Sequence, residues 1–194
     1  MEAGDMGLQV ALPASVRVEG YAVVSEDGML ADANGIMPDV LKIEADQRFF
    51  ERRVDGVDIL IHGRNSQEHR PNSSKHYRII VTTRVAGVAR DPGNDRAVLW
   101  NPSGAPLPEA LALLHGPQRS IGVLGGTNVF ALFLDRYDVF YLSRVEGVRL
   151  SGGRPVFPQV PARTPADILH VHGLARDTVE RAAPNLSIET WHRH

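Results

Sequence analysis

Short runs of apolar residues alternate with amphipathic segments along this chain, and that alternation limits its possible folds more than any other feature. A buried strand shows such a run between turn residues, whereas a surface helix repeats apolar residues every three to four positions. Strands are predicted at residues 21–24, 57–61, 79–83, 97–100, 121–124, 137–145 and 186–191. Helices are predicted at residues 45–53, 107–115 and 129–134. Strands that alternate with helices favour an α/β fold with a largely parallel sheet.

The composition fits one ordinary globular domain. The 194 residues are 43% hydrophobic, with 21 basic against 23 acidic side chains, so no overall charge favours nucleic acid or an anionic membrane. The absence of cysteine excludes disulfides and thiolate nucleophiles and fits a reducing compartment. No stretch approaches the roughly 20 apolar residues of a membrane-spanning helix, and the acidic N-terminus is unlike a secretory signal. We expect a cytoplasmic protein with a flexible lead-in over residues 1–16 and one domain over residues 17–194.

Three predicted strands end in turns whose residues suit a phosphate. Ligands of open α/β sheets bind outside the carboxyl ends of the strands. Gly125-Gly126-Thr127-Asn128 lets backbone N–H groups approach an anion, although paired glycines also serve packing alone. The other two turns are Gly63-Arg64-Asn65-Ser66 and Thr82-Thr83-Arg84, whose arginines suit phosphate oxygens. Each turn alone is typical of an exposed surface, but the three together predict a phosphate-bearing, extended ligand.

Asp46 lies near the start of the predicted helix 45–53 and has two interpretations. A carboxylate in the first turn commonly serves as a favourable helix-start charge. If the helix faces a pocket lined by Phe50, the same carboxylate binds and protonates a nitrogen heterocycle. Residues 29–43, which include Gly35 and Pro38, predict a long loop before this helix, and such loops are often functional.

Several other chemistries lack their motifs. The chain has no Gly-x-Ser-x-Gly and no P-loop, which removes the main support for a serine hydrolase or a nucleotide kinase. His170 and His172, like His192 and His194, would share one face of a strand, but two ligands without a third do not define a metal site. No metal is therefore expected.

Five features follow one another in an order that carries a family resemblance. They are residues 24–31 (VSEDGMLA), residues 58–63 (DILIHG), residues 123–130 (VLGGTNVF), Asp138 and residues 152–157 (GGRPVF). They resemble the dihydrofolate reductase superfamily, and within it the reductase domain of the RibD proteins of riboflavin biosynthesis. Asp46 precedes Gly63 by 17 positions (63 − 46). The resemblance covers roughly residues 20–158.

Features of dihydrofolate reductase itself are also visible. Residues 34–38 (NGIMP) resemble its mobile loop, and Asp46 with Phe50 resembles its pterin-binding acid and the neighbouring aromatic residue. Gly63-Arg64 and Thr82-Thr83 are similar to the residues with which that enzyme contacts the phosphates of NADPH. Two positions depart from that pattern. Asp39 replaces a tryptophan, and the arginine that would hold the folate glutamate is not evident among Lys75, His76 and Arg78.

The resemblance implies a dihydrofolate reductase-like three-layer sandwich, with a mostly parallel sheet and helices on both faces, and an NADPH-dependent oxidoreductase. It implies a pyrimidine- or pterin-type substrate, favouring a reductase of 5-amino-6-(5-phosphoribosylamino)uracil. The alternatives are reduction of dihydrofolate or a dihydropterin, and a non-catalytic nucleotide-binding relative.

The resemblance also implies a set of site residues. Asp46 would be catalytic, and the substrate would contact Val23, Asp27, Phe50 and Ser143. NADPH would contact Leu30, Gly63, Arg64, Asn65, Ser66, Thr82, Thr83, Arg84, Leu124, Gly125, Gly126, Thr127, Asn128 and Val129. Relatives in the riboflavin branch also suggest a homodimer, for which the apolar residues 139–142 are the motivating feature in this chain.

Overall fold

The structure, a computed structural model, describes residues 10–64 and 75–194. Its strands and helices follow a mixed α/β order along the chain. The strands are β1 (Arg17–Ser25), β2 (Met29–Ala31), β3 (Ile59–Gly63), β4 (Tyr77–Val81), β5 (Val88–Arg90), β6 (Ala97–Trp100), β7 (Ser120–Gly125), β8 (Val139–Val145), β9 (Arg154–Pro155), β10 (Leu174–Ala183) and β11 (Leu186–Arg193). The helices are α1 (Glu44–Val54), α2 (Leu107–Ala112), α3 (Thr127–Leu132) and α4 (Pro165–Val171), with a 3₁₀ turn at Asp39–Leu41.

Nine of the described strands form one central sheet in the order β10-β11-β8-β1-β7-β3-β4-β6-β5. The strands from β8 through β1, β7, β3 and β4 to β6 run parallel to one another. Only β5, β10 and β11 are antiparallel to their neighbours. β2 and β9 form a separate two-stranded sheet. The parallel centre brings the carboxyl ends of β1, β3, β4, β7 and β8 to one edge, where sheets of this kind bind ligands.

Helices cover both faces of the sheet because alternate residues of each strand are apolar on both sides. The main core contains residues of α2, α3 and α4 packed on one face, including Leu107, Phe130 and Ile168. The opposite face is covered by α1, whose Val54 packs with Leu60 and other residues of a second cluster. This confirms the predicted three-layer α/β architecture.

Five elements were not among the predicted ones, and each has a physical reason. β2, β5 and β9 contain two or three residues, too few to show a period. β10 lies at the outer edge of the sheet, and six consecutive exposed residues in it hide any alternation. α4 begins with a capping box in which the Thr164 side chain accepts from the Asp167 N–H, a local signal that the prediction overlooked. The predicted loop over residues 29–43 accordingly contains β2 and the 3₁₀ turn.

Other predicted boundaries shift by a few residues, and two interpretations change. His170 and His172 lie at the end of α4, so the prediction that they share a strand face is wrong. Residues 139–142 lie inside β8, between β1 and β11, and are buried in the core. They therefore give no support to a dimer interface.

Part of the predicted lead-in packs against the domain. Val10 and Val16 are buried and belong to the main core. Arg136 Nη2 also donates to the carbonyl of Val16 at 3.2 Å. The segment from residue 10 to 16 is thus attached to the domain, while residues 1–9 lie outside the described part. Within the described residues, no helix is long and apolar enough to cross a membrane.

Candidate active site

A cleft opens between α1 and the sheet, over β1, β7 and β8. Its polar lining is Lys42, Asp46, Gln47 and Ser143. Its apolar lining is Tyr21, Ala22, Val23, Leu30, Met37, Leu41, Phe49, Phe50, Leu124, Phe130 and Tyr141. Mostly apolar walls with a few polar groups are usual for a site that binds a small molecule.

Asp46 enters the cleft from the first turn of α1. The helix begins at Glu44 and its N-cap residue is Ile43, so Asp46 lies in the first turn and is not the N-cap residue. Residues three or four positions apart lie on the same side of a helix. Phe49 and Phe50 accordingly line the cleft together with Asp46. The sequence-predicted pairing of this carboxylate with Phe50 in one pocket is therefore present in the structure.

Aromatic rings form one wall of the cleft beside Asp46. Tyr21 of β1 stacks on Tyr141 of β8, with ring centroids 5.2 Å apart. Phe50 meets the Tyr21 ring edge to face at 5.6 Å, and Phe49 meets the Tyr141 ring at 5.4 Å. Each ring is therefore held by another, which gives the cleft a rigid surface suited to a flat heterocycle.

The hydroxyl of Tyr21 is engaged beneath the cleft. It donates to the buried carboxylate of Glu19, which also accepts from Arg17 Nε at 2.5 Å. Burial, reinforced by the hydrogen bond to Glu19, raises the pKa of Tyr21 well above its ordinary value. This phenol stays protonated in any ordinary buffer. Tyr21 therefore offers its ring to the cleft, and we assign it no proton transfer.

Gly125 is the last residue of β7 and Gly126 follows it, and the fold requires glycine only at the first of these positions for reasons of backbone and packing. Gly125 has a φ of +91°, and a Cβ there would lie 2.3 Å from the Phe130 ring, so both backbone and packing require glycine. A Cβ on Gly126 would meet no described atom within 4 Å. A Cβ on Gly63, at the end of β3, would lie 3.6 Å from Gly126 N, so these two turns are neighbours. The bare backbone at Gly126 leaves space that suits a closely approaching phosphate.

The cationic turns lie at the neighbouring strand ends. Gly63 pairs with Val81 across β3 and β4, so Arg64 follows one strand end and Thr82 the other. Arg64 and Arg84 are exposed, whereas Thr82 is buried and its Oγ1 accepts from Arg84 N at 3.2 Å. Thr83 is exposed in the same turn. The two predicted residues Asn65 and Ser66 lie outside the described residues.

Asp27 is not among the residues that line the cleft, and its carboxylate makes hydrogen bonds that stabilise the fold. Its carboxylate accepts from Ser25 Oγ at 2.6 Å and from Leu150 N at 3.0 Å, which ties the end of β1 to the segment after β8. Partial burial opposes ionisation, but these hydrogen bonds outweigh it and hold the pKa of Asp27 below its usual range. The structure therefore does not bring Asp27 to the substrate cleft.

Most predicted substrate and cofactor positions converge on one region. The cleft lining includes the predicted residues Val23, Leu30, Asp46, Phe50, Leu124 and Ser143. Gly125, Gly126, Thr127, Asn128 and Val129 form the adjoining turn and the first half of α3, whose six residues give only a short helix. Their roles toward a ligand stay predictions.

Several lining residues were not predicted from the sequence, among them Tyr21, Tyr141, Lys42 and Gln47. Gln47 could have been predicted from the sequence, because it directly follows Asp46 in the helix that faces the pocket. The pairing of Tyr21 with Tyr141 had no local signal, because it depends on the register between β1 and β8.

Solved structures of known proteins share this architecture. A protein assigned to riboflavin biosynthesis from Shewanella sp. PV-4 matches with a TM-score of 0.64 at 20% identity, over 92% of this chain and 99% of that one. A diaminohydroxyphosphoribosylaminopyrimidine deaminase/5-amino-6-(5-phosphoribosylamino)uracil reductase from Thermotoga maritima has a TM-score of 0.64 at 15% identity; the match covers 93% of this chain and 57% of that chain's length. Dihydrofolate reductase from Enterococcus faecalis, complexed with NADP(H) and RAB-propyl, has a TM-score of 0.62 at 16% identity, over 92% and 96% of the two chains.

These likenesses establish the fold. The chain has the dihydrofolate reductase-like fold, which confirms the fold that the resemblance implied. Neither a protein-family model nor a curated protein sequence matches it.

Proposed function

We propose that this protein is an NADPH-dependent reductase of a pyrimidine-type heterocycle resembling 5-amino-6-(5-phosphoribosylamino)uracil. The observation that carries the proposal is the position of the Asp46 carboxylate in an aromatic cleft. That cleft shares Leu124 with the strand that ends in the Gly125-Gly126 turn. A proton donor and a turn open to a phosphate-bearing cofactor thus lie at one edge of the sheet.

The residues at this edge fit a dinucleotide. Gly63 and Gly126 would admit its phosphates to the backbone, and the exposed Arg64, Thr83 and Arg84 would surround a 2′-phosphate. When bound, NADPH supplies the hydride. The protein supplies position and a closed environment.

The cleft residues suit the substrate's ring and its polar edge. The rings of Tyr21, Tyr141 and Phe50 hold a planar heterocycle. The Asp46 carboxylate accepts hydrogen bonds from ring N–H or amino groups, and after taking up a proton from solvent the carboxylic acid passes it to the ring. Ser143 adds a hydroxyl. Lys42, whose Nζ pairs with the exposed Asp39 at 2.7 Å, adds a cation to the lining that suits an anionic substituent such as a sugar phosphate.

Dihydrofolate or a dihydropterin is the alternative substrate class, and the start of β4 argues against the folate tail. Lys75 pairs with Asp55 at 4.0 Å, and the buried His76 Nδ1 hydrogen-bonds to the Val57 carbonyl at 2.9 Å. The buried Arg78 contacts His62. None of these three side chains is among the residues that line the described cleft, so none is placed to hold a glutamate carboxylate there.

NADPH oxidation followed by absorbance tests the proposal. The purified protein is supplied with the aminouracil phosphoriboside, its dephosphorylated form, dihydrofolate or a dihydropterin. Turnover of the aminouracil compound, weakened by loss of its phosphate, supports the proposed class, and faster turnover of dihydrofolate supports the alternative. Cofactor binding without turnover of any compound supports a non-catalytic nucleotide-binding protein.

Cofactor choice is tested separately by fluorescence titration. Hydrogen bonds to a charged group contribute about 1.5–3 kcal/mol, so NADPH should bind at least about tenfold more tightly than NADH. An Arg64→Gln, Arg84→Gln double variant should lose that preference while its NADH affinity stays unchanged. Equal affinities of the wild-type protein would contradict the assignment of these two arginines.

A further inference from the structure

Two buried polar side chains, His62 on β3 and Arg78 on β4, lie on the same side of the sheet behind the Gly63-Arg64 turn. Their exposed fractions are 5% and 7%. Arg78 Nη1 lies 3.0 Å from His62 Nε2, and His62 Nδ1 lies 3.0 Å from the Gly63 carbonyl oxygen. We propose that His62 is a positioning residue that holds the Gly63–Arg64 peptide for cofactor binding, with Arg78 fixing its tautomer. This inference rests on the proposed function.

The two contacts of the imidazole require the same tautomer. A guanidinium can only donate, so His62 Nε2 accepts from Arg78 and carries no proton. A carbonyl oxygen can only accept, so Nδ1 carries the proton and donates to Gly63. Both contacts are satisfied by a neutral imidazole with its hydrogen on Nδ1, and this is the tautomer that the proposal assigns to His62. Protonation of Nε2 would direct an N–H at the buried guanidinium.

The peptide that follows Gly63 is held at both ends. His62 Nδ1 donates to the Gly63 carbonyl, and Arg64 N donates to the carbonyl of Val81 at 3.2 Å. These two bonds fix the plane of the peptide that joins two of the predicted cofactor residues. Gly63 also faces Gly126 N, so the same plane sets one side of the gap between the two glycine turns. Arg78 reaches this peptide through its contact with His62.

Neighbouring groups of similar chemistry provide a matched control. His76 is also buried and also hydrogen-bonds to a backbone carbonyl through Nδ1, but its partner is Val57, before the start of β3. A substitution at His76 therefore removes a comparable buried hydrogen bond away from the Gly63-Arg64 turn.

The tautomer is tested on the ligand-free protein by long-range ¹H–¹⁵N correlation spectra. The spectrum at neutral pH should show His62 with a protonated Nδ1 and an unprotonated Nε2. The opposite tautomer, or an imidazolium, would overturn the proposal. This measurement needs neither cofactor nor substrate, so it is independent of the proposed function.

Two variants separate the contacts of His62. In His62→Asn, the side-chain amide nitrogen takes the place of Nδ1, which keeps the donor for Gly63 and loses the acceptor for Arg78. In His62→Gln, the longer side chain keeps an oxygen within reach of Arg78 and puts a methylene near the Gly63 carbonyl. His62→Gln should weaken NADPH binding about tenfold, the effect of one lost hydrogen bond, whereas His62→Asn should stay within about threefold of the wild type.

If His62 only stabilised the fold, the NADPH affinities of His62→Gln and His62→Asn would not differ in this order. His76→Asn should leave NADPH affinity unchanged, and His62→Gln should speed amide exchange at Arg64 while leaving Leu60 unaffected in the ligand-free protein. NADPH affinity of His62→Gln equal to that of the wild type would overturn the proposal. If the wild-type protein binds no NADPH, the proposed function fails, while the tautomer and the Arg64 exchange still decide whether the peptide is held as described.

Discussion

At the scale of single residues, one carboxylate in the cleft differs from the other acids of its helix. Glu44 and Asp46 both lie in the first turn of α1, where a negative charge interacts favourably with the helix dipole. Glu44 pairs with Arg48 on the exposed side, whereas Asp46 lines the cleft. The same helix therefore contains a candidate catalytic acid and its own structural control.

Asp46→Asn should separate chemistry from helix stability. The substitution keeps the shape of the side chain but removes its charge and its titratable proton, so turnover should fall about 10²–10⁴-fold. The free energy of unfolding should change by less than about 1 kcal/mol, the usual size of the interaction between a first-turn charge and the helix dipole. Glu44→Gln should show the same small change in urea denaturation and keep full turnover. Equal turnover of both variants would leave Asp46 with a structural role only.

The hydrogen bonds of the Asp27 carboxylate predict how the stability of the protein changes at acid pH. Hydrogen bonds from Ser25 and Leu150 hold its pKa below the usual value despite partial burial. A lowered pKa in the folded state means that the carboxylate stabilises the protein above the unfolded-state pKa of about 3.9. That stabilisation disappears as the pH falls through the lower, folded-state pKa. Urea denaturation of the wild type and Asp27→Asn should therefore differ most near pH 6, and the difference should shrink toward pH 3. A difference independent of pH would contradict this account.

At the scale of elements, the turn after β7 combines two different demands on the chain. Gly125 is required by its positive φ and by contact with Phe130, and Gly126 is not required by any described neighbour. Folding explains the first glycine. The space beside the Gly126 Cα is open, which leaves room for a ligand to approach the backbone there.

Alanine substitutions should distinguish the two glycines. Gly126→Ala should fold with a free energy of unfolding within about 0.5 kcal/mol of the wild type, but its methyl group should weaken NADPH binding about tenfold or more. Gly125→Ala should lose about 1–3 kcal/mol or more, because an L-residue there is strained and clashes with Phe130. Thermal denaturation and cofactor titration of both variants provide the measurements. Unchanged NADPH affinity in Gly126→Ala would remove the main structural support for a phosphate at this turn.

At the scale of the whole molecule, the order of the strands decides which surfaces remain for another copy of the chain. β8 lies inside the sheet, so the apolar residues 139–142 contact β1 and β11 and not a partner. The outer strand β10 carries exposed charged residues such as Arg176, Asp177 and Glu180. Charges on an edge strand oppose unspecific pairing of sheet edges.

The homodimer stays a prediction, now without the residues that motivated it. Light scattering at micromolar concentration tests it directly. A mass near twice the 21.3 kDa of the chain would support it. A mass near that of one chain would contradict it and would leave β10 as a solvated edge.

The sequence by itself determined the features that are encoded locally. Apolar runs identified most central strands, and the Gly125-Gly126 turn followed from the properties of glycine. The spacing of Asp46 and Phe50 placed both on one side of a helix, so their shared pocket was accessible from 3.6-residue periodicity. β10 was not predicted because an edge strand, exposed along most of its length, shows no apolar alternation.

Only the tertiary structure decided which distant residues meet. The parallel pairing of β1 and β8 places Tyr21 directly beside Tyr141, and this register forms the aromatic wall of the cleft. The pairing of β3 and β4 likewise brings Arg78 to His62. Strand register depends on hydrogen bonds and packing between segments far apart in the chain. Neither strand alone contains that information, because a slip of one residue would turn every side chain to the other face.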